Sequence, residues 1–262
     1  MGKWQTKLLY SMENQSNGHT DVRQLLSGKE SAALGRRMFM RYLGVTAAAG
    51  VALSACQNEI VDPTATARNA REGFRTIDFG DVGNNDVTVL NYAYALEQLE
   101  AAFYTQVIAT PYSGITDMER RILTDIRDHE IVHRELFKAA LGSAAIPGLT
   151  PDFSSINFSS RAAVLGAARL FENIGVSAYN GAGQYIMSAD YLTLAGKIVS
   201  VEARHASIIS TLIEPQSRSF AGDDVIFPST GLEEIRVPVE VLALVTPYIK
   251  ETLNGMNVRR RA

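Results

Sequence analysis

Between residues 86 and 213, apolar side chains recur at the three- and four-residue spacing of helices that bury one face. This pattern predicts four long helices, with expected spans of 86–110, 116–142, 160–188 and 190–213. Thr116 and Glu119 form a capping-box pattern at the start of the second helix. A fifth helix, kinked at Pro247, is predicted over 237–253. No segment alternates well enough between apolar and polar residues to predict a strand.

The lengths of the connections predict how the helices are arranged. A few residues join the first helix to the second and the third to the fourth, so each pair forms an antiparallel hairpin. Residues 141–159 contain Pro147, Gly148 and Pro151, and this segment is long enough to run the length of a bundle. We therefore expect an all-α fold: an antiparallel four-helix bundle over 86–213, built from two hairpins and one long crossover. Residues 214–262 are expected to form a C-terminal extension that carries the fifth helix.

Composition excludes several functional classes. The chain has 262 residues, of which 46% are hydrophobic and 20% charged, so it can bury a sizeable core. Its net charge of −3 and the lack of a basic stripe argue against nucleic-acid binding. A single cysteine, Cys56, excludes a disulfide framework and any cysteine-rich zinc or iron–sulfur site.

The first 55 residues have the features of a signal peptide. They carry seven Lys/Arg against three Asp/Glu, and residues 42–55 bear no charge. Those fourteen residues are too few to cross a hydrocarbon core of about 30 Å as a helix. They end in LSAC, residues 53–56, which resembles a bacterial lipobox. We therefore expect Cys56 to be lipidated, residues 56–85 to form a tether, and the protein to be anchored to a membrane of the cell envelope, facing the periplasm or the exterior. A short buried helix that ends in cysteine is the alternative.

The pair Arg36–Arg37 also resembles a twin-arginine (Tat) export signal, with Phe39 in the expected place. Gly35 and Met40 depart from the usual residues of that signal. Tat export is the prediction, and Sec export remains open.

Candidate chemistry lies in the four predicted helices. Two Glu-x-x-His pairs occur in the second and fourth helices, and each places a carboxylate and an imidazole on one helix face. The first and third helices each carry a glutamate seven residues before a tyrosine, which is again the spacing of one face. The residues are Glu130/His133, Glu202/His205, Glu97/Tyr104 and Glu172/Tyr179.

These glutamates fall near the middle of their helices, so the bundle is expected to bring all four to one level. Four unpaired carboxylates in a core would be very costly. Two divalent cations would balance the four negative charges, so the pattern predicts a dinuclear metal site built from Glu and Glu-x-x-His ligands.

Two segments carry a resemblance to a known family: 91–104, NYAYALEQLEAAFY, and 172–179, ENIGVSAY. Both resemble the ferritin-like superfamily, in particular secreted bacterial ferritin-like domain proteins related to plant desiccation-related proteins. The resemblance covers residues 86–213 and implies six metal ligands: Glu97, Glu130, His133, Glu172, Glu202 and His205. It also implies that Tyr104 and Tyr179 hydrogen-bond the carboxylates that bridge the metals. Glu100, one turn after Glu97, replaces or assists that residue in an alternative assignment.

The resemblance further implies a function. Two divalent ions, iron by default with manganese or zinc as alternatives, would react with O₂ or peroxide in iron oxidation or an oxidative-stress role. The chain would then be a ferroxidase-like di-iron oxidoreductase, and a homodimer is compatible with it. One alternative is a stress- or desiccation-associated structural lipoprotein whose metal site is slow or vestigial. Another is a zinc metalloprotease, because 129–133 is a His-Glu-x-x-His motif in which His129 and His133 would bind zinc.

Overall fold

The computed structural model describes residues 75–83 and 85–257. The predicted signal peptide, the lipidation site Cys56 and most of the predicted tether therefore lie outside the described residues. The helices in the described part are α1 (Asp86–Ala109), α2 (Asp117–Leu141), α3 (Arg161–Ala182), α4 (Ala189–Ile213) and α5 (Pro238–Val245). The short strands are β1 (Thr76–Asp78), β2 (Ile226–Phe227), β3 (Leu232–Glu233) and β4 (Thr252–Asn254).

Side-chain caps explain where the four long helices begin. The side chain of Asn85 accepts a hydrogen bond from the Thr88 amide at the start of α1. Thr116 and Glu119 form the reciprocal capping box that the sequence predicts for α2. The side chains of Ser160 and Ser188 accept a hydrogen bond from an amide in the first turn of α3 and α4, respectively. These caps satisfy amides that the first helical turn leaves without partners.

The long helices form two hairpins, α1 with α2 and α3 with α4, and the hairpins contact each other through α1–α3 and α2–α4. The crossover between α2 and α3 is fixed by polar side chains of other elements. Asn91 of α1 bonds the carbonyl of Ala144 and the amide of Ile146, and Gln98 accepts from the Leu149 amide. This fold is the predicted all-α bundle with a long crossover.

The C-terminal extension differs from the predicted kinked helix over 237–253. The α-helix ends at Val245, a 3₁₀ turn spans Thr246–Tyr248, and the chain continues into β4. Pro247 lies in that turn, and a proline at this position cannot continue an α-helix because it lacks the amide proton.

The predicted tether also extends too far, because residues before 85 belong to the folded unit. Strand β1 pairs in parallel with β4, with Ile77 opposite Leu253, and both side chains are buried. The pairing joins segments about 176 residues apart, and three-residue strands are too short to show the alternation that sequence analysis requires.

Helix α3 ends at Ala182 rather than near residue 188, as predicted, and a 3₁₀ turn follows at Gly183–Tyr185. The backbone of Arg236 lies against α3 at Gly181, and a Cβ atom there would be only 1.9 Å from the Arg236 carbonyl oxygen. Only glycine therefore leaves room for this segment at position 181. No helix in the described part of the chain is both long and apolar enough to span a membrane.

Candidate metal centre

Each of the four long helices places predicted site residues inside the bundle. Helices α1 and α3 contribute one glutamate each, and α2 and α4 contribute a glutamate and a histidine each. All six side chains are buried: Glu97, Glu130, His133, Glu172, Glu202 and His205. Residues separated by three positions share a helix face, which explains why each Glu-x-x-His pair faces the same interior point.

The six residues form two overlapping groups of potential metal ligands. In each group, one ligand atom from every residue lies within 4.8 Å of the others. One group contains Glu97 and His133 and the other contains Glu172 and His205. Glu130 and Glu202 belong to both groups, so these two carboxylates are placed between the two positions.

Distances around the two histidines are nearly identical. His133 Nδ1 is 2.8 Å from Glu202 Oε1, 3.5 Å from Glu97 Oε2 and 3.7 Å from Glu130 Oε2. His205 Nδ1 has the equivalent distances: 2.8 Å to Glu130 Oε1, 3.5 Å to Glu172 Oε2 and 3.7 Å to Glu202 Oε2. The site therefore has an approximate twofold symmetry that exchanges the hairpins.

Eight buried atoms of these six side chains have no directed hydrogen bond within the described residues. They are Glu97 Oε2, Glu172 Oε2, both carboxylate oxygens of Glu130 and Glu202, and Nδ1 of His133 and His205. The distances divide them into two sets of four, each with three oxygens and one nitrogen. Buried polar atoms are rarely left without partners, and three oxygens plus one imidazole suit iron, manganese or zinc. The residues therefore fit two metal ions.

The electrostatics of the protein without metal show how costly the cluster is. Burial raises the pKa of Glu130 well above its ordinary value, and the adjacent Glu202 carboxylate raises it further. Burial also raises the pKa of Glu172, although the charge of His205 opposes this shift. These carboxyl groups favour the protonated form when no cation is near.

The histidines respond in the opposite direction. Burial acts to lower the pKa of His133, but the carboxylates of Glu130, Glu202 and Glu97 outweigh it and raise the value to about 12. The pKa of His205 is raised for the same kind of reason. Burial acts to raise the pKa of Glu202, but the two histidines lower it to about 2. In the metal-free protein, imidazolium groups thus balance part of the carboxylate charge.

The two tyrosines bind carboxylates across the hairpins. The Tyr104 hydroxyl donates to Glu172 Oε1 at 2.5 Å, and the Tyr179 hydroxyl donates to Glu97 Oε1. Glu97 and Glu172 each belong to a single group. The expectation that the tyrosines bond the bridging carboxylates is therefore wrong, because Glu130 and Glu202 occupy the shared positions.

Glu100 is buried beside the cluster but belongs to neither ligand group. Its carboxylate lies against α3, and a Cβ built at Gly175 would be 3.0 Å from Glu100 Oε1. Burial raises the pKa of Glu100 well above its usual range, and the carboxylates of Glu130 and Glu202 add to the shift. The geometry favours Glu97, not Glu100, as the ligand from α1.

His129 does not join His133 in a zinc site of the protease type. It lies outside both groups, its ring is exposed, and its Nδ1 is 2.9 Å from Nε2 of His205. Glu130 belongs to both groups instead of standing apart as a general base. The contact between His129 and His205 could not be predicted from local patterns, since it joins residues 76 positions apart.

A four-helix bundle with carboxylate and histidine ligands on facing helices is the architecture of dinuclear carboxylate proteins. A model of the ferritin-like domain matches residues 85–215 of this chain, which is half of its 262 residues. The chain belongs to the ferritin-like domain family. No curated protein matches it by sequence.

Proposed function

We propose that the protein binds two divalent metal ions in the buried cluster, and that iron is the ion it uses. The observation that supports this proposal is the division of eight buried oxygen and nitrogen atoms, none with a directed hydrogen bond, into two equivalent sets of four. Two divalent ions carry four positive charges, which balance the carboxylates of Glu97, Glu172 and the two shared glutamates. Manganese and zinc accept the same donor atoms and are distinguished by experiment.

With two ferrous ions bound, such a site supplies electrons for the reduction of O₂ or peroxide, and we propose this chemistry for the protein. The chain's own residues hold the donor atoms in place. Tyr104 hydrogen-bonds one carboxylate oxygen of Glu172, and Tyr179 hydrogen-bonds one of Glu97. The other oxygen of each carboxylate is left directed at the cluster. Phe103, Phe171 and Ile209 are fully buried in the apolar core of the bundle, and such a core would limit the access of water to the cluster.

Metal analysis tests this proposal. The protein is reconstituted anaerobically with Fe(II), Mn(II) or Zn(II), and bound metal per chain is counted after gel filtration. We expect two ions in the wild type, one in Glu97→Gln and fewer than one in Glu202→Gln, because Glu202 belongs to both groups. Oxidation of Fe(II) by O₂ or peroxide is then followed by absorbance in the wild type and in Glu202→Gln.

Glu119→Gln is the matched control for these variants. Glu119 is also a buried glutamate, but its carboxylate pairs with Arg161 rather than with the cluster. This variant should still bind two ions. If the wild type binds none, the dinuclear proposal fails, and the alternative of a stress-associated structural protein is favoured.

We also propose that the protein is exported and anchored to a membrane of the cell envelope through a lipid on Cys56. The support is the sequence of residues 36–56, which lies outside the described residues. Cys56→Ala should release the protein from the membrane fraction or leave it unprocessed. Replacing Arg36 and Arg37 together by lysine should block export by the Tat route and leave Sec export intact. Unchanged size and membrane attachment of Cys56→Ala would contradict the lipid anchor.

A further inference from the structure

The twofold symmetry of the cluster ends at the outer nitrogens of its histidines. His205 directs Nδ1 at the carboxylates and Nε2 at His129, whose Nδ1 lies 2.9 Å away. The two rings are almost parallel, with an angle of 11° between their planes and 5.2 Å between their centroids. His129 is exposed, so it connects a buried ligand of the cluster with the surface of α2.

The equivalent position in the other half of the chain cannot make this contact. His129 directly precedes Glu130, and the residue that directly precedes Glu202 is Val201. Since the symmetry exchanges α2 and α4, Val201 is the counterpart of His129, and His133 is the counterpart of His205. Valine has no polar side-chain atom, so it offers no acceptor to His133.

The outer contact affects how a histidine binds metal through its inner nitrogen. When Nδ1 of His205 donates its lone pair to a metal, the ring proton is on Nε2. This N–H group then donates a hydrogen bond to Nδ1 of His129. Such a bond fixes the tautomer and orientation of the ligand and makes it a stronger donor; its loss typically costs about 10- to 100-fold in metal affinity.

We propose that His129 is a positioning residue that makes the two metal positions unequal, so that the position bounded by His205 and Glu172 fills before the one bounded by His133 and Glu97. This inference rests on the proposed dinuclear function. It adds an order of loading, which the six ligands alone do not impose, because their distances are the same on both sides.

Co(II) is a suitable probe because its visible absorption reports the ligands around each ion. The two positions are measured separately in variants that each lack one of the carboxylates that belong to a single ligand group. Glu97→Gln retains the His205 position, and Glu172→Gln retains the His133 position. Adding His129→Val, which copies the residue found at 201, should lower Co(II) affinity about 10-fold or more in Glu97→Gln. The same change should have little effect in Glu172→Gln.

Two further variants separate a positioning role from a structural one. His129→Gln keeps a side-chain oxygen as an acceptor and should restore part of the lost affinity. Val201→His should strengthen the His133 position, measured in Glu172→Gln. The absorption spectrum of Co(II) at the His205 position should change with His129→Val, whereas mere destabilisation of the fold would alter both positions together.

The outcomes are distinguishable. If the wild type binds two Co(II) ions and His129→Val affects both positions equally or neither, the order of loading is overturned while the dinuclear proposal stands. If the wild type binds no Co(II), Fe(II), Mn(II) or Zn(II), both proposals are overturned.

Discussion

The hydroxyl of Tyr104 on α1 lies 2.5 Å from Glu172 Oε1 on α3 and donates a hydrogen bond to that carboxylate. The second tyrosine makes the symmetric bond, from Tyr179 on α3 to Glu97 on α1. Because 104 pairs with 172 and 97 pairs with 179, the two helices run antiparallel through the site. The two hairpins are therefore joined at the level of the buried Glu/His cluster by hydrogen bonds as well as by apolar packing.

Tyr104→Phe should weaken the site and the fold together. It leaves Glu172 Oε1 buried without its donor, and removing one partner of a buried hydrogen bond costs about 1–3 kcal/mol. We expect a loss of this size in the free energy of unfolding of the metal-free protein, measured by urea denaturation. Co(II) affinity should fall about 10-fold or more at the His205 position, since Glu172 belongs only to that group.

Tyr92→Phe on the same helix is the matched control. Tyr92 is also fully buried, but its hydroxyl has no hydrogen-bond partner among the described residues. Its removal should leave stability unchanged or raise it slightly, because an unsatisfied polar group is lost. Equal destabilisation by the two substitutions would show that the hydroxyl of Tyr104 makes no special contribution.

Local patterns in the sequence explain why the helices and the composition of the cluster could be predicted. Helical periodicity, the cap at Thr116 and the two Glu-x-x-His pairs each depend on residues within a few positions of one another. The partners of Tyr104 and Tyr179 could not be predicted in this way. Same-face spacing placed each tyrosine near the glutamate of its own helix, whereas the register between the two hairpins decides which carboxylate it reaches.

The same limit applies to the edges of the domain. The pairing of β1 with β4 depends on tertiary contacts between the two ends of the described chain, and each strand has only three residues. The His-Glu-x-x-His motif drew attention to His129, but only a comparison of equivalent positions in the two halves could have pointed to its contact with His205. His129 precedes Glu130 as Val201 precedes Glu202. A polar residue in one half and an apolar residue at the equivalent position of the other half indicate that the two positions have different surroundings.

Stability of the metal-free protein should fall as the pH rises from about 6 to 9. The pKa of His133 is raised to about 12 in the folded protein, because neighbouring carboxylates outweigh its burial. An unfolded histidine loses its proton near pH 6.5, so above that pH the folded state binds more protons than the unfolded state. The stabilisation of the fold by protonated His133 is complete below about pH 6.5 and is lost as the pH approaches 12. His205 and the carboxyl of Glu130, whose pKa values are also raised, act in the same direction.

Thermal melting at several pH values, with a chelator and with two equivalents of metal, measures this effect. Metal must displace the protons on His133 and His205, so loading should release protons and largely remove the fall in melting temperature. His133→Gln should flatten the curve of the metal-free protein. Glu202, whose pKa is lowered to about 2 because the histidines outweigh its burial, should contribute a separate loss of stability as the pH falls from about 4.5 to 2. A metal-free melting temperature that rises between pH 6 and 9 would contradict the prediction.

Gly181→Ala should detach the C-terminal segment from α3. The added Cβ would lie 1.9 Å from the carbonyl oxygen of Arg236, so the backbone there must move. Movement also breaks the bond from the Arg236 amide to the Ser177 carbonyl, at 3.1 Å, and overpacking of this kind costs about 1–3 kcal/mol. We expect lower stability in urea and faster hydrogen exchange at the Arg236 amide.

Gly166→Ala is the control on the same helix. Gly166 is exposed, and nothing lies within 4 Å of a Cβ placed there. Alanine is a better helix former than glycine, so this substitution should stabilise the protein by up to about 1 kcal/mol. If both alanines stabilise, the contact between α3 and Arg236 is not tight in solution.

Glu100→Gln should keep two metal ions and stabilise the metal-free protein. Glu100 is buried beside the four carboxylates of the cluster yet lies in neither ligand group, so its loss removes no donor atom. Burial and the carboxylate of Glu130 raise its pKa well above the ordinary value, which means that the folded protein disfavours the charged form. Above the unfolded pKa of about 4.5, the folded state must hold a proton that the unfolded state has released, and this stability penalty grows with pH. Glutamine has the same shape without that penalty, so the melting temperature of metal-free Glu100→Gln should exceed that of the wild type more at pH 8 than at pH 5. Metal counts on the same samples separate Glu100 from Glu97: a loss of one ion in Glu100→Gln, with none lost in Glu97→Gln, would make Glu100 the ligand from α1.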